Sequence, residues 1–581
     1  MKKAPISKLD PDLAGFRNLT DFAAALEATE TTLGQEAIER APTPESVEIK
    51  VVVAERSREN VSGWLTAGGA QVTSSGGQVI TAAMPRQMLE DLEQVDGVIA
   101  AEAPRLLHRN VDAAATETNL PDALAAHGRT GQGVYVAVVD SGVDWSHADF
   151  IDDGNTRFAA FHHLDAPLEF GRAEVQAALD GTQAIAQGDP DGHGTHCASI
   201  AAGNGAASDG TFRGVAPGAE LLGMRCDRLS DTNIIRAIRA AFAQADADER
   251  PVVVNLSLGG HIGAHDGTSA IENVIRRESG PGKIVVVAAG NQAEHAIHWS
   301  GQLREGETTE VTARLRDTEQ QTLDLWISRE DDVDVVIQAP DGSQFEPDGS
   351  IHSTVFGVFQ ARFQQNPLNG DFNLRLTIVQ GLDGHLWRIR LKPDVVVNGQ
   401  AHAWAMGPNG HTGVFLDADP RFTVGMPGTA GRAITVGSFV SKRTFATKSA
   451  TLTADGLTVG QRSPFSSIGP DRYGRHKPDI AAPGQFITAA LSSNSKMATD
   501  ERYTPRHHPT DGYITIQGTS MAAPYVTGLI ALLLENEPDL NPEEIQRRLV
   551  ASAVRNEQTG GAWNAEFGYG RVDAAAFLAQ M

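Results

Sequence analysis

The chain reads as an α/β protein: a parallel sheet covered by helices on both faces, preceded by a small α/β module and interrupted by an antiparallel β domain. Three observations predict this. Continuous Val/Ile-rich runs (VYVAVVD, AELLGMRC, PVVVNLSLGG, KIVVVAAGN, AITVGSF) alternate with amphipathic stretches such as SDTNIIRAIRAAFAQA and TSAIENVIRRE. Strands buried on both faces lose the polar–apolar alternation, so this is the pattern of a doubly covered parallel sheet. Between Gln292 and Arg421 the pattern changes: TLDLWIS, DVDVVIQAPDG, FNLRLTIVQG and LWRIRLKP alternate apolar and polar residues, with Asp-Gly and Asn-Gly turn signals between runs, which predicts an antiparallel sandwich or jelly roll. Nearer the start, VEIKVVVAE, ENVSGWLTAGG, QVITAAM and MLEDLEQVDGVIAAEA read as strand, helix, strand, then a helix running into a third strand.

The elements divide the 581 residues into a polar extension (1–45), the α/β module (46–110), a main α/β domain in two pieces (111–292 and 421–581) and the β insert (293–420). That is more chain than one ordinary core holds. A formal charge of −25 argues against a nucleic-acid partner, which such a surface repels. The start, MKKAPISKLDPDLAGF, has two lysines but no apolar run of signal-peptide length, and no stretch is long enough to span a bilayer. With only Cys197 and Cys226 there is no disulfide framework. The expectation is a cytoplasmic protein with no membrane partner, export by a non-Sec route being the alternative.

Asp140 follows four apolar strand residues, where a carboxylate is semi-buried; taken alone it reads equally well as a turn Asp. His193 lies in DGHGTHCAS, whose small residues let a helix start close to neighbouring backbone. His193 and His196 are three apart, not four with an intervening Glu, which disfavours a zinc site, and His196 reads as structural. Ser520 in GTSMAAP opens an apolar helix, where the dipole favours developing negative charge; an ordinary N-cap serine is the alternative. Pro524 reads as tolerable because first-turn N–H groups lack intrahelical partners. A serine hydroxyl is a poor nucleophile until an imidazole takes its proton and a carboxylate holds that imidazole. Asn291, ending AAGN, offers a side-chain amide that can donate to an oxyanion. Ser257, Leu258, Gly259 and Gly260 follow a strand and leave backbone open to an extended peptide.

Taken together, VAVVDSGVD, DGHGTHCAS and GTSMAAP, in the order Asp, His, Ser, resemble the subtilisin-like serine endopeptidases, the subtilases; the order matches a known template. The resemblance implies an Asp140–His193–Ser520 triad, Asn291 at the oxyanion, and polypeptide substrates. It also implies a pocket walled by Ser257 to Gly260 and by Ala288, Ala289 and Gly290, with Gly425 at its floor. It makes residues 46–110 a propeptide acting in cis, released by cleavage within Pro104–Glu117. No cofactor is required. Asp149 resembles a calcium ligand, but the loop AAGNGAASDGTFRG departs from the usual ligand loop. Cys197 is similar to the free cysteine some subtilases carry beneath the histidine. A few bacterial branches, clostridial spore-germination types among them, are similar in carrying a jelly-roll insert. Two other functions stay open: a silent peptide-binding protein with its N-terminal module retained, and a scaffold working through the insert. Oligomeric state is not readable.

Overall fold

The computed structural model describes residues 46–581 apart from 77–78, 86–87, 93, 103–116, 167, 186–187, 316–319, 367, 380–383, 408–412 and 581. The predicted polar extension and most of the linker therefore lie outside the described residues. Two compact units result, Met1–His108 and Arg109–Met581.

In the first unit, strands Gln71–Gly76, Val79–Pro85, Ser46–Val53 and Val98–Glu102 form one sheet in that spatial order, all pairs antiparallel. The helix Arg58–Ala67 buries Val61 and Leu65 in a core with Val51, Val53, Ile80 and Leu92. Gln71–Gly76 is an addition to the predicted elements. QVTSSG holds a single large apolar residue, and as an edge strand it pairs with one neighbour only, so no hydrophobic alternation announces it.

The second unit is built on an eight-stranded sheet. Its order is Ile480–Pro483, Ile434–Phe439, Lys283–Ala288, Val252–Leu256, Tyr135–Asp140, Glu220–Arg225, Phe158–His163, Leu168–Gly171. Every pair is parallel except the last. The two faces have separate cores. Val136, Val138, Ile284 and Val286 point into one with the helices His193–Ala202 and Thr519–Leu534, while Ala137, Val139, Val252, Val254 and Val285 meet the helix Asp231–Ala247 on the other. Fifteen of the sixteen residues of Thr519–Leu534 are buried, Ser520 being the exception. At about 1.5–3 kcal/mol per fully buried large apolar side chain, this helix is a principal organiser of the core.

Inside the insert, a six-stranded and a five-stranded antiparallel sheet lie within His298–Phe415. Asp332–Gln338 alternates exposed and buried residues as its sequence predicts. Both sheets contribute to a core with Leu325, Phe359, Leu374 and Trp387, the arrangement of a sandwich. The insert is continuous with the main domain. Asp324, buried mid-strand, accepts from the Gly263 N–H at 2.7 Å and from Trp326 Nε1 at 3.0 Å. Buried Arg472 bridges Asp266 of the main domain and Asp371 of the insert.

Candidate active site

The Tyr135–Asp140 strand ends on Asp140, which is 3% exposed. The helix carrying His193 comes close because Gly194 has no side chain: a Cβ there would lie 1.9 Å from the Gly142 carbonyl oxygen. Asp140 and His193 thereby meet, His193 Nδ1 lying 2.8 and 3.0 Å from the two Asp140 oxygens. Burial opposes protonation of the imidazole. The charge and hydrogen bond of Asp140 outweigh it and hold His193 well above its ordinary pKa.

What orders this helix start is a residue that the motif pattern does not single out. Gly192 supplies no capping side chain. Asp189, fully buried, does so instead, accepting from the N–H groups of Gly192 (2.8 Å) and Thr195 (2.8 Å), from Thr195 Oγ1 (2.6 Å) and from Ser141 Oγ (2.8 Å). One carboxylate thus fixes the His193 turn and the residue after Asp140. Burial still pushes its pKa up, against the pull of these hydrogen bonds. The available signal is Asp-x-x-Gly-His, an acid placed to receive the orphan donors of a helix N-terminus.

Ser520 is the second residue of its helix, which starts at Thr519. This corrects the expectation for Pro524: it sits beyond the first turn, where its missing N–H leaves the Ser520 carbonyl without its helical partner. Two side chains take that place. Ser257 Oγ donates to the Ser520 carbonyl at 2.8 Å and Cys197 Sγ at 3.3 Å, tying the serine backbone to the strand edge and to the His193 helix. Cys197 is buried, and burial raises its thiol pKa. The Ser520 hydroxyl donates to the Ser257 carbonyl at 3.1 Å, not to His193. Ser520, His193 and Asn291 line one cavity of about 430 Å³.

Asn291 is oriented by its own network. Its Oδ1 accepts from Thr519 N at 2.9 Å and Thr519 Oγ1 at 3.0 Å, which assigns Nδ2 as the outward donor. The Ser520 N–H, in the first helical turn, is a second donor without an intrahelical partner.

The other predicted wall residues separate into two groups. Ser257, Leu258 and Gly259 line a second cavity of about 560 Å³ that also reaches Asp140 and His193. Gly260 is committed elsewhere, exchanging both backbone hydrogen bonds with Met426 at 2.9 Å. Gly425 packs onto the Gly260 carbonyl and donates to Ala289 O at 2.9 Å. Ala288 and Ala289 are buried, and Gly290 (φ +113) accepts from Ser467 N. None of these five lines either cavity. Met406 of the insert adds to the closure, its Sδ accepting from the His261 N–H at 3.3 Å.

The oxygens of Asp149 are engaged by donors of the protein. Its carboxylate accepts from Tyr513 OH (2.6 Å), Ala207 N (3.1 Å) and Ser199 Oγ (3.3 Å). The carbonyls of Asp149, Ala202 and Ala219 all accept from the buried Arg157 guanidinium. Calcium takes six to eight oxygen ligands; three carbonyls here face a guanidinium instead. His196 is structural, its Nε2 lying 3.2 Å from both the Ile487 and Ile514 carbonyls.

The profile of the Subtilase family matches residues 131–344 and 396–570, leaving out a stretch inside the insert. The serine protease AprX of Bacillus subtilis is 33% identical over 156 residues, 27% of this chain and 32% of AprX. The minor extracellular protease Vpr of the same organism is 25% identical over 458 residues, 75% of this chain and 50% of Vpr. The chain thus spans half or less of these two relatives. The solved structure of the Clostridium perfringens CspB protease is similar with a TM-score of 0.67 at 25% identity, covering 80% of this chain and 96% of that one. With the family profile matching well over half its length, the chain belongs to the Subtilase family.

Proposed function

We propose that the chain is a serine endopeptidase working through an acyl-enzyme. What supports this reading is that His193, hydrogen-bonded to Asp140, lines one cavity together with Ser520 and Asn291. Ser520 Oγ attacks a peptide carbonyl while His193 Nε2 takes its proton, and Asp140 stabilises the imidazolium through Nδ1. The tetrahedral oxyanion falls to Asn291 Nδ2 and the Ser520 N–H. His193 then protonates the leaving amine, and water, activated by the same imidazole, releases the acid. Leu258 and Gly259 present backbone for the acyl side of an extended substrate.

Ser520→Ala should abolish hydrolysis of an unstructured protein such as casein and labelling by a fluorophosphonate, with thermal stability kept. Labelling of the Ser520→Ala chain equal to wild type refutes the assignment. In this reading the 46–110 module acts in cis as a folding aid and inhibitor. It predicts that Ser520→Ala also blocks cleavage within Pro104–Glu117, read by mass spectrometry of the purified chain.

A further inference from the structure

We infer that Arg506 selects substrates with an acidic residue on the leaving-group side of the scissile bond. The inference rests on the protease reading above. His193 separates two cavities. The first, along Ser257 to Gly259, takes the acyl side and carries the carboxylates of Asp191 and Asp227. The second holds Ser520 and Asn291 and therefore receives the leaving-group half of the substrate. Its outer wall is Tyr503, Arg502 and Arg506, and no carboxylate lines it.

The two arginines are not equivalent. Arg502 is neutralised by Asp500, with Nη2 2.6 Å from Oδ2 and Nε 3.0 Å from Oδ1. Arg506 is half-buried and held through its backbone N–H to Tyr503 O at 2.8 Å, while its guanidinium has no hydrogen bond or ion pair among the described residues. A guanidinium left unpaired beside a nucleophile, in a chain of net charge −25, is a donor fork awaiting a carboxylate. Of the two cavities, this is the one where a positive charge lacks an internal partner. Specificity then follows from attraction to acidic residues and repulsion of lysine or arginine at the same position.

The test uses quenched peptides with one acyl-side sequence and Asp, Asn or Lys at the first two positions beyond the scissile bond. The full chain should show kcat/KM for Asp above Asn by roughly fivefold, as for a partly solvated ion pair, with Lys lowest. The Asp/Asn ratio should fall to about one in Arg506→Gln, reverse toward Lys in Arg506→Glu, persist in Arg506→Lys, and shrink in high salt. Equal kcat/KM for Asp, Asn and Lys in the wild type overturns the inference and leaves the protease reading intact. Binding of the same peptides to Ser520→Ala, followed by fluorescence polarisation, decides the matter without turnover. An Asp preference lost on adding Arg506→Gln supports the inference, and equal binding overturns it.

Discussion

Asp140 sets the pH at which His193 can accept a proton. Because the carboxylate holds the imidazole well above 6.5, the neutral base is populated only at correspondingly higher pH, and the acid limb of kcat/KM should lie there. Asp140→Asn removes that pull, so in the proposed mechanism the limb should move to lower pH while the maximum falls by about 10⁴-fold, as for the equivalent change in trypsin-like Ser–His–Asp enzymes; a pH–rate profile reads both. The same pair contributes folding stability that is present below pH 6.5 and lost as pH rises through the raised value. Asp189→Asn, which halves the acceptor capacity for five donors, should cost about 1–3 kcal/mol in urea denaturation. At this scale the strings that hold Asp140, His193, Ser520 and Asn291 are short and distinctive, and the structure brings His193, Ser520 and Asn291 to one cavity, with Asp140 bonded to His193. Asp189 was not legible, since a buried cap looks like any loop aspartate until its donors are seen. That the backbones of Gly260 and Gly425 are bridged was not legible, because exposed and bridged glycine have the same letter.

Two helices and one buried arginine do the positioning at the level of elements. The Thr519–Leu534 helix carries Ser520 on its first turn and loses one internal hydrogen bond to Pro524. Ser257→Ala removes the stronger of the two donors to the freed carbonyl and should lower kcat more than it raises KM, measured by steady-state kinetics. Arg157, pulled down by burial to about 10, stays charged near neutrality and occupies the oxygens a cation would need. Chelation with EDTA should therefore leave the melting temperature unchanged, whereas Arg157→Met should lower it by differential scanning fluorimetry, taking the guanidinium donor from the Ala202 and Ala219 carbonyls. Five of the parallel strands were readable from their apolar runs; Phe158–His163 and Ile480–Pro483 were not singled out. Edge strands such as Leu168–Gly171, mostly exposed and paired on one side, were not, because they lack the apolar content that marks a buried strand.

Over the whole molecule, the insert is joined to the main domain by buried aromatic and imidazole rings. His265 stacks on Trp404 at 4.0 Å and on His261 at 5.2 Å, and His298 contacts His402, Trp404 and Phe422. Burial and the neighbouring His265 push His261 down to about 3; burial and Arg472 push His402 to about 3; burial takes His265 to about 4 despite the Val424 and His261 carbonyls. Asp419 and Arg421 also face this cluster, Asp419 drawing His298 up and Arg421 pushing His402 down. These rings fold neutral. The unfolded chain binds their protons first, so stability is lost as pH falls from 6.5 toward 4, at about 1.4 kcal/mol per pH unit per ring. Melting temperature against pH should drop across that window, and the drop should be shallower in His261→Gln. The change of pattern at Gln292 made the insert visible; the ring junction was invisible because its histidines are scattered from 261 to 402.

That junction decides how the sandwich can be handled in the laboratory. Trp326 and Trp404, both from the insert, bury themselves with Ala264 and Ile297, and Arg472 gives up its solvation to two carboxylates, one on each side. Splicing residue 292 directly to 422 would therefore strip a greasy, half-charged scar onto the remaining body. Such a truncated chain should be recovered in the pellet, not as a trimmed enzyme.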